Sequence, residues 1–365
     1  MNKKINFRFI VYFGFTILLL VLCILFTKQY REKEDDFIIS VIFPLTGDTG
    51  AAMANNVKNS LIMCAESFNA QGGVNGKKIK IEFYDAKNAS SREGVDIANR
   101  LIASKKNNIV ITMISNVVMS VNPILEKNRI LNLAIASSGD LFKNPKKYTL
   151  RTHLSAKETG TAIADAIKNK FHKKNVKVIY ANTEFGNTSL RAFLNAAKNL
   201  NLTSEVVAFE EKELSYRSSI LKLNLKNEDI VYVIGIQESL GRLVRQLKEH
   251  DFSGRIIGGP DLNSFLARDT IGENNSNIYY IETMRTKNFV QFNEDFKNRF
   301  SEDMDEIAVL AYTGLSTVLK CFNEIKTNDV EFLMKKINGF KSNEYMGDVT
   351  FIENEMIIEF KISKL

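Results

Sequence analysis

The chain has 365 residues and a mass of 41.4 kDa, too long for one hydrophobic core and suited to two lobes. It is 45% apolar and 25% charged, ordinary globular usage that excludes disordered, collagen-like and low-complexity classes. The net charge of +7 comes from 49 basic and 42 acidic residues interspersed along the chain, with no basic stripe of the kind that grips nucleic acid.

Residues 9–26, from Phe9 to Phe26, form an uncharged and largely apolar run preceded by Lys3, Lys4 and Arg8. Such a run reads as a transmembrane anchor or an uncleaved signal. The small residues that a signal peptidase reads are missing: Leu25 stands at the −3 position near Thr27. Cys23 follows Leu20-Val21-Leu22, where a lipoprotein signal needs a small residue. An uncleaved anchor is therefore expected, joined by a charged linker that ends at Asp35-Asp36.

From Phe37 the pattern changes to alternating strands and helices. Phe37–Phe43 is a short, nearly continuous apolar run, as in a strand buried on both faces. Pro44-Leu45-Thr46-Gly47 breaks it, and Val57, Leu61, Cys64, Ala65 and Phe68 then mark the buried face of a helix. Gly72–Gly76 makes a turn, and Ile79, Ile81 and Phe83 alternate along a second strand to Asp85. Helices are predicted over 92–104 and 117–128, with strands over 109–114 and 130–136. Pro123 fits if it lies in a first turn. Ser155-Ala156-Lys157-Glu158 is a capping box opening a helix that runs to Phe171. Strands follow at 176–180, 205–209, 230–234, 255–257 and 278–281, separated by helical stretches. Helices over 289–302, 305–326 and 329–338 precede a final strand pair, 348–352 and 356–361. Alternation at this period predicts an α/β fold of two doubly wound parallel sheets with right-handed crossovers.

Chemistry-bearing motifs are absent. There is no G-x-G-x-x-G after a strand, no phosphate-binding G-x-x-x-x-G-K-[ST] and no G-x-S-x-G elbow, so no enzyme and no cofactor are expected. His153, His172 and His250 share no ligand spacing and no C-x-x-C occurs, so no metal site is expected. Cys64 falls on an apolar helix face, as a buried free thiol does; pairing with Cys321 is left open. Glu210-Glu211 and the acids Asp303, Asp305 and Glu306 read as solvated surface charge.

Several blocks occur in an order that points to a family. Pro44-Leu45-Thr46-Gly47, then Asn69-Ala70-Gln71-Gly72-Gly73-Val74-Asn75-Gly76, then Tyr84-Asp85-Ala86 open the series. Leu150-Arg151-Thr152, Glu184-Phe185-Gly186, Gly258-Gly259-Pro260-Asp261 and Tyr345–Phe351 continue it across residues 37–365. This resembles the type 1 periplasmic binding proteins, the branch that feeds leucine, isoleucine and valine to ABC transporters. The resemblance implies two lobes joined by three crossings near 151–155, 282–286 and 339–341. Lobe one would comprise 37–152 and 284–338, and lobe two 153–283 and 339–365.

It also implies a ligand cleft between the lobes, where open α/β sheets bind ligands beyond the carboxyl ends of their strands. Positions matching Ser115 and Ala136-Ser137-Ser138 hold the ligand's α-carboxylate in the family, with Asn116 beside them. Each serine could equally be a plain helix cap. Asp261 matches the acid that takes the α-ammonium, and its alternative is a helix cap before Leu262. Phe185 stands where an aromatic ring faces the ligand. Met53 and Ile236 fall where the family carries cleft tyrosines, which implies a more apolar side-chain pocket.

The implied function is that of a solute-binding protein on the periplasmic or extracellular face of the membrane. It would close on a small amino acid or related acid or amide and deliver it to an ABC permease. An anchored sensor of the same fold, signalling to a membrane partner, is the alternative.

Overall fold

A computed structural model describes residues 36–47, 50–104, 109–137, 147–273, 275–326 and 329–365. The apolar run 9–26 and Ser138 lie outside the described residues. Among the described residues, no helix is long and apolar enough to cross a membrane.

The first lobe begins with β1 (Phe37–Phe43), α1 (Ala51–Ala70), β2 (Ile79–Asp85), α2 (Ser91–Ser104), β3 (Ile109–Met113), α3 (Ser115–Lys127), β4 (Asn132–Ile135) and β5 (Thr149–Arg151). These strands pair in parallel in the order β5-β4-β3-β1-β2. The second lobe follows with α4 (Ala156–Asp165), β6 (Asn175–Ala181), α5 (Glu184–Asn199), β7 (Thr203–Phe209), α6 (Arg217–Lys222), β8 (Ile230–Ile234) and α7 (Gln237–Glu249). It continues through β9 (Arg255–Gly258), a 3-10 turn over Pro260–Asn263, α8 (Phe265–Ile271) and β10 (Ile278–Thr283). Its parallel strands run β10-β9-β8-β6-β7. The chain then returns to the first lobe as α9 (Asn288–Phe300), α10 (Glu306–Ile325) and α11 (Val330–Ile337), with α9 and α10 packing on α1.

Each lobe hides its apolar strands between helices. β3 and β8 are buried at every position, which is why their sequences read as continuous apolar runs rather than alternations. α10 is buried along almost its whole length, and the Phe322 ring meets Phe37 edge-on at 5.1 Å between centroids. Cys64 and Cys321 are free thiols inside this core, and burial pushes both thiols up, Cys321 to about 12.

The end of the chain departs from the expected division of lobes. β11 (Lys341–Ser342), β12 (Val349–Ile352) and β13 (Glu355–Ile358) join the first sheet, through the Glu355–Arg151 pairing with β5. Only β14 (Phe360–Lys364) pairs with β10 in the second sheet. The run 356–361, which reads as one strand, is thus divided at Glu359 between two sheets. A salt bridge at 2.6 Å between the buried Arg151 guanidinium and Glu355 anchors β13 where it joins β5. The chain therefore crosses between sheets after β5, after β10 and at Glu359. Ser155 closes the first crossing with the expected capping box: Glu158 N–H donates to its hydroxyl at 3.1 Å, and its own N–H donates to Glu158 at 2.9 Å. α3 runs on past Pro123, so the turn below it loses one backbone donor.

Candidate functional site

On the first lobe, the carboxyl ends of β3 and β4 each carry a strained residue. Ile114 (φ 69°) and Ala136 (φ 47°) both adopt left-handed φ, which costs roughly 1–3 kcal/mol for a residue with a side chain. They are neighbours, since Ile114 N–H donates to Ile135 C=O at 3.1 Å. Next to them, Ser115 is 2% exposed and Ser137 fully buried, and neither hydroxyl has a hydrogen-bond partner among the described residues. A buried hydroxyl left unpaired costs about 1–3 kcal/mol, so these two are unusual groups to find inside the lobe. The start of α1 presses on the same spot. A Cβ on Gly50 would come within 2.2 Å of the Ile114 side chain, and the left-handed φ of 77° at Gly50 also favours glycine.

On the second lobe, the ends of β8 and β9 and the starts of α4 and α5 surround a small cavity. Its walls include His153, Phe185, Ser189, Tyr232 and Asp261. Burial pushes the Asp261 carboxyl up to about 7, and Asp305, Glu211 and Glu306 push in the same direction. His153 moves the other way: burial, and then the nearby Arg151 charge, hold it at about 4, so the imidazole is neutral at pH 7. Its Nδ1 has no partner among the described residues. Burial, with the Asp261 charge behind it, raises the Tyr232 phenol. Asp261 is not a helix cap. It lies inside the 3-10 turn, and Ser264 caps α8 by accepting from Ala267 N–H at 3.3 Å.

The two lobes meet at a second, small cavity, lined by Met53, Asp305, Glu306 and Ile307 from one side and Gln237, Pro260, Asp261 and Ser264 from the other. Asp305 caps α10, its Oδ1 accepting from Ala308 N–H at 2.8 Å. Burial and then the charges of Glu306 and Glu302 raise the Asp305 carboxyl to about 7, against the pull of the Ala308 N–H. Glu306 is held differently, paired with Arg285 and accepting from the Thr283 hydroxyl. Gln237 opens α7 with a left-handed φ of 44° and is 9% exposed.

Of the sequence-derived candidates, Phe185 and Asp261 share the second-lobe cavity, and Met53 and Asp261 share the one between lobes. Ser115, Ala136 and Ser137 lie together at the strand ends of the first lobe. Asn116 is exposed, with its carbonyl accepting from Ser91, and Ile236 lines neither cavity; its neighbours Gly235 and Gln237 do. Sequence reasoning missed His153, Tyr232, Gln237, Asp305 and Glu306. The reading of the 303–306 acids as surface charge holds only for Asp303, which is exposed and paired with Lys297 at 3.1 Å. Among the described residues, no group of three or more His, Cys, Asp or Glu side chains could hold a metal ion.

A sequence model described as "Periplasmic binding protein" matches residues 38–358, nearly the whole described chain. The chain belongs to the periplasmic binding protein family. Among relatives of this binding protein, the Leu/Ile/Val-binding protein BraC3 of Rhizobium johnstonii is 28% identical over 235 residues, 63% of this chain. That match spans only 62% of the relative's own length. Leu/Ile/Val-binding protein homolog 2 of Brucella abortus is 22% identical, with 87% of this chain and 86% of the relative covered. The crystal structure of the leucine-binding protein LivK of Thermotoga maritima shares the fold with a TM-score of 0.79 at 18% identity, covering 90% of this chain and 95% of LivK. A solute-binding protein of an ABC transporter from Rhodopseudomonas palustris, in complex with 3,4-dihydroxybenzoic acid, also superposes with a TM-score of 0.79 at 17% identity. It covers 91% of this chain and 93% of that one. This binding protein is thus similar in sequence to proteins named for leucine, isoleucine and valine binding, and it shares its fold with a solute-binding protein of an ABC transporter.

Proposed function

We propose that this periplasmic binding protein closes its two lobes on a small amino-acid-like zwitterion and delivers it to an ABC permease outside the cytoplasm. The observation that carries this reading is a pair of polar features, one on each lobe. Unpaired hydroxyls of Ser115 and Ser137 stand at the first lobe's strand ends, and the Asp261 carboxylate lines the cavity where the second lobe meets the first. Ser115 is also the first residue of α3, whose free N–H groups and positive dipole end favour a carboxylate. Asp261 supplies the charge an ammonium needs, since a buried ammonium left unpaired would cost several kcal/mol. Phe185 and Met53 offer apolar surface to the rest of the ligand. Relatives named for leucine, isoleucine and valine support an amino acid, and the neighbour holding 3,4-dihydroxybenzoic acid makes aromatic acids the main competitor.

The test is a thermal-shift screen of the detergent-solubilised full-length chain against the twenty amino acids, benzoate and hydroxybenzoates. A ligand at a hundred times its Kd adds about 2.7 kcal/mol of stability. A shift with at least one amino acid and none with benzoates is expected. Shifts with benzoates alone would overturn the zwitterion.

A further inference from the structure

We propose that the ligand carries a second basic nitrogen, received by Asp305 of the first lobe, so that the cleft selects a dibasic amino acid over an apolar one of the same length. This rests on the amino-acid reading of the cleft and specifies the side chain.

The inter-lobe cavity presents three carboxyl groups, and their balances differ. Glu306 is neutralised by Arg285. Asp261 and Asp305 form no salt bridge with any lysine or arginine among the described residues. They enter from opposite lobes: Asp261 from the turn after β9, Asp305 from the cap of α10. A ligand with one ammonium pairs directly with one of them and leaves the other without a salt-bridge partner when the lobes close. A ligand with two basic nitrogens satisfies both.

A second feature of the same cavity points to a ligand independently. The Gln237 side chain is nine-tenths buried, lines the cavity and has no hydrogen-bond partner among the described residues. Its residue is held there in a left-handed conformation, which persists only where the surroundings impose it. A terminal ammonium, with three donors, can satisfy an amide oxygen and a carboxylate together. Met53 and Ile307 complete the wall with apolar surface suited to a methylene stem. The metal reading is disfavoured because no group of ligating side chains among the described residues could hold an ion.

The experiment is titration calorimetry of the detergent-solubilised full-length chain with L-lysine, L-ornithine, L-norleucine and L-leucine. Lysine or ornithine should bind at least tenfold more tightly than norleucine, which has the stem without the second nitrogen. Asp305→Asn, which keeps a good N-cap for α10, should reduce that preference to threefold or less. Norleucine or leucine binding as tightly as both basic amino acids would overturn the second nitrogen and leave the amino-acid reading standing. A lysine preference that survives Asp305→Asn in a folded protein would overturn the role of Asp305. No heat from any of the four, together with a thermal shift by benzoate, would overturn both readings.

Discussion

Asp261 and Asp305 line one cavity from opposite lobes, and Asp305 is among the charges that drive the Asp261 carboxyl up to about 7. Burial is the larger cause for each, so the cleft holds two acids that are costly to ionise. A cationic group on the ligand would relieve both costs. Asp261→Asn should therefore act in two directions. The unliganded protein should gain in melting temperature, because a buried charge is gone. Amino-acid affinity should fall at least tenfold, about 1.4 kcal/mol or more, in calorimetry. Unchanged affinity would remove Asp261 from the site.

The pH dependence of stability follows from the same groups. Asp261, Asp305 and Glu211 all have folded-state values near 7, above their ordinary carboxylate values. Between about pH 4.5 and 7 the folded state binds more protons at these sites than the unfolded one, so stability falls as pH rises. His153, held at about 4, works against this up to about pH 6.5, because there the unfolded state is the one that takes the proton. Three acids outweigh one histidine. Urea denaturation should show stability declining from pH 4.5 to 7, with a shallower decline in Asp261→Asn and a steeper one in His153→Gln. A wild-type profile that rises across this window would contradict the burial of these acids.

The legible and illegible parts of the site differ by the range of the contacts that make them. Asp261 stands out in the chain because Gly258-Gly259-Pro260 ends a strand just before it, a local pattern. Gln237 was hidden by one residue: Ile236 is the N-cap of α7, and the left-handed turn at Gln237 brings that residue, not its neighbour, to the cavity. Asp303, Asp305 and Glu306 look alike in sequence, and only tertiary packing separates an exposed acid paired with Lys297 from a cap and from a partner of Arg285. The division of the last strands at Glu359 was equally out of reach. It depends on Arg151 and Glu355, 204 residues apart, meeting at the sheet edge.

Phe185 owes its position to the glycine that follows it. A Cβ on Gly186 would lie 1.9 Å from the Ala181 carbonyl oxygen, so α5 can start this close to the end of β6 only with glycine there. Gly186 N–H also completes the Thr183 cap at 3.1 Å. Gly186→Ala must push the helix start outward, at about 1–3 kcal/mol of overpacking strain. Reduced stability in urea and weaker ligand binding are expected together, since Phe185 moves with the helix. Full stability in this variant would show that the contact is not as close as described.

Asp85 plays the corresponding part on the first lobe. Its Oδ1 accepts from the backbone N–H groups of Leu45, Thr46 and Lys87 at 2.9, 3.2 and 2.9 Å, and its Oδ2 from the Thr46 hydroxyl at 2.5 Å. Burial alone would raise this carboxyl, but the Thr46 hydroxyl and the backbone donors together hold it below its ordinary value. Its contribution is therefore present above the unfolded value near 4 and is lost as pH falls through the lower folded one. The loop so fixed leads into α1, whose start carries Met53 to the cavity and meets Ile114 beside Ser115. Asp85→Ala should cost about 1–2 kcal/mol, the upper range being discounted because water reaches part of this loop. It should also weaken ligand binding, through a mobile α1 start rather than a lost contact. Asp85→Asn keeps an acceptor oxygen for the backbone and should retain more of both. Urea denaturation and calorimetry on the two variants decide it, and equal, negligible losses would show that the loop needs no such anchor.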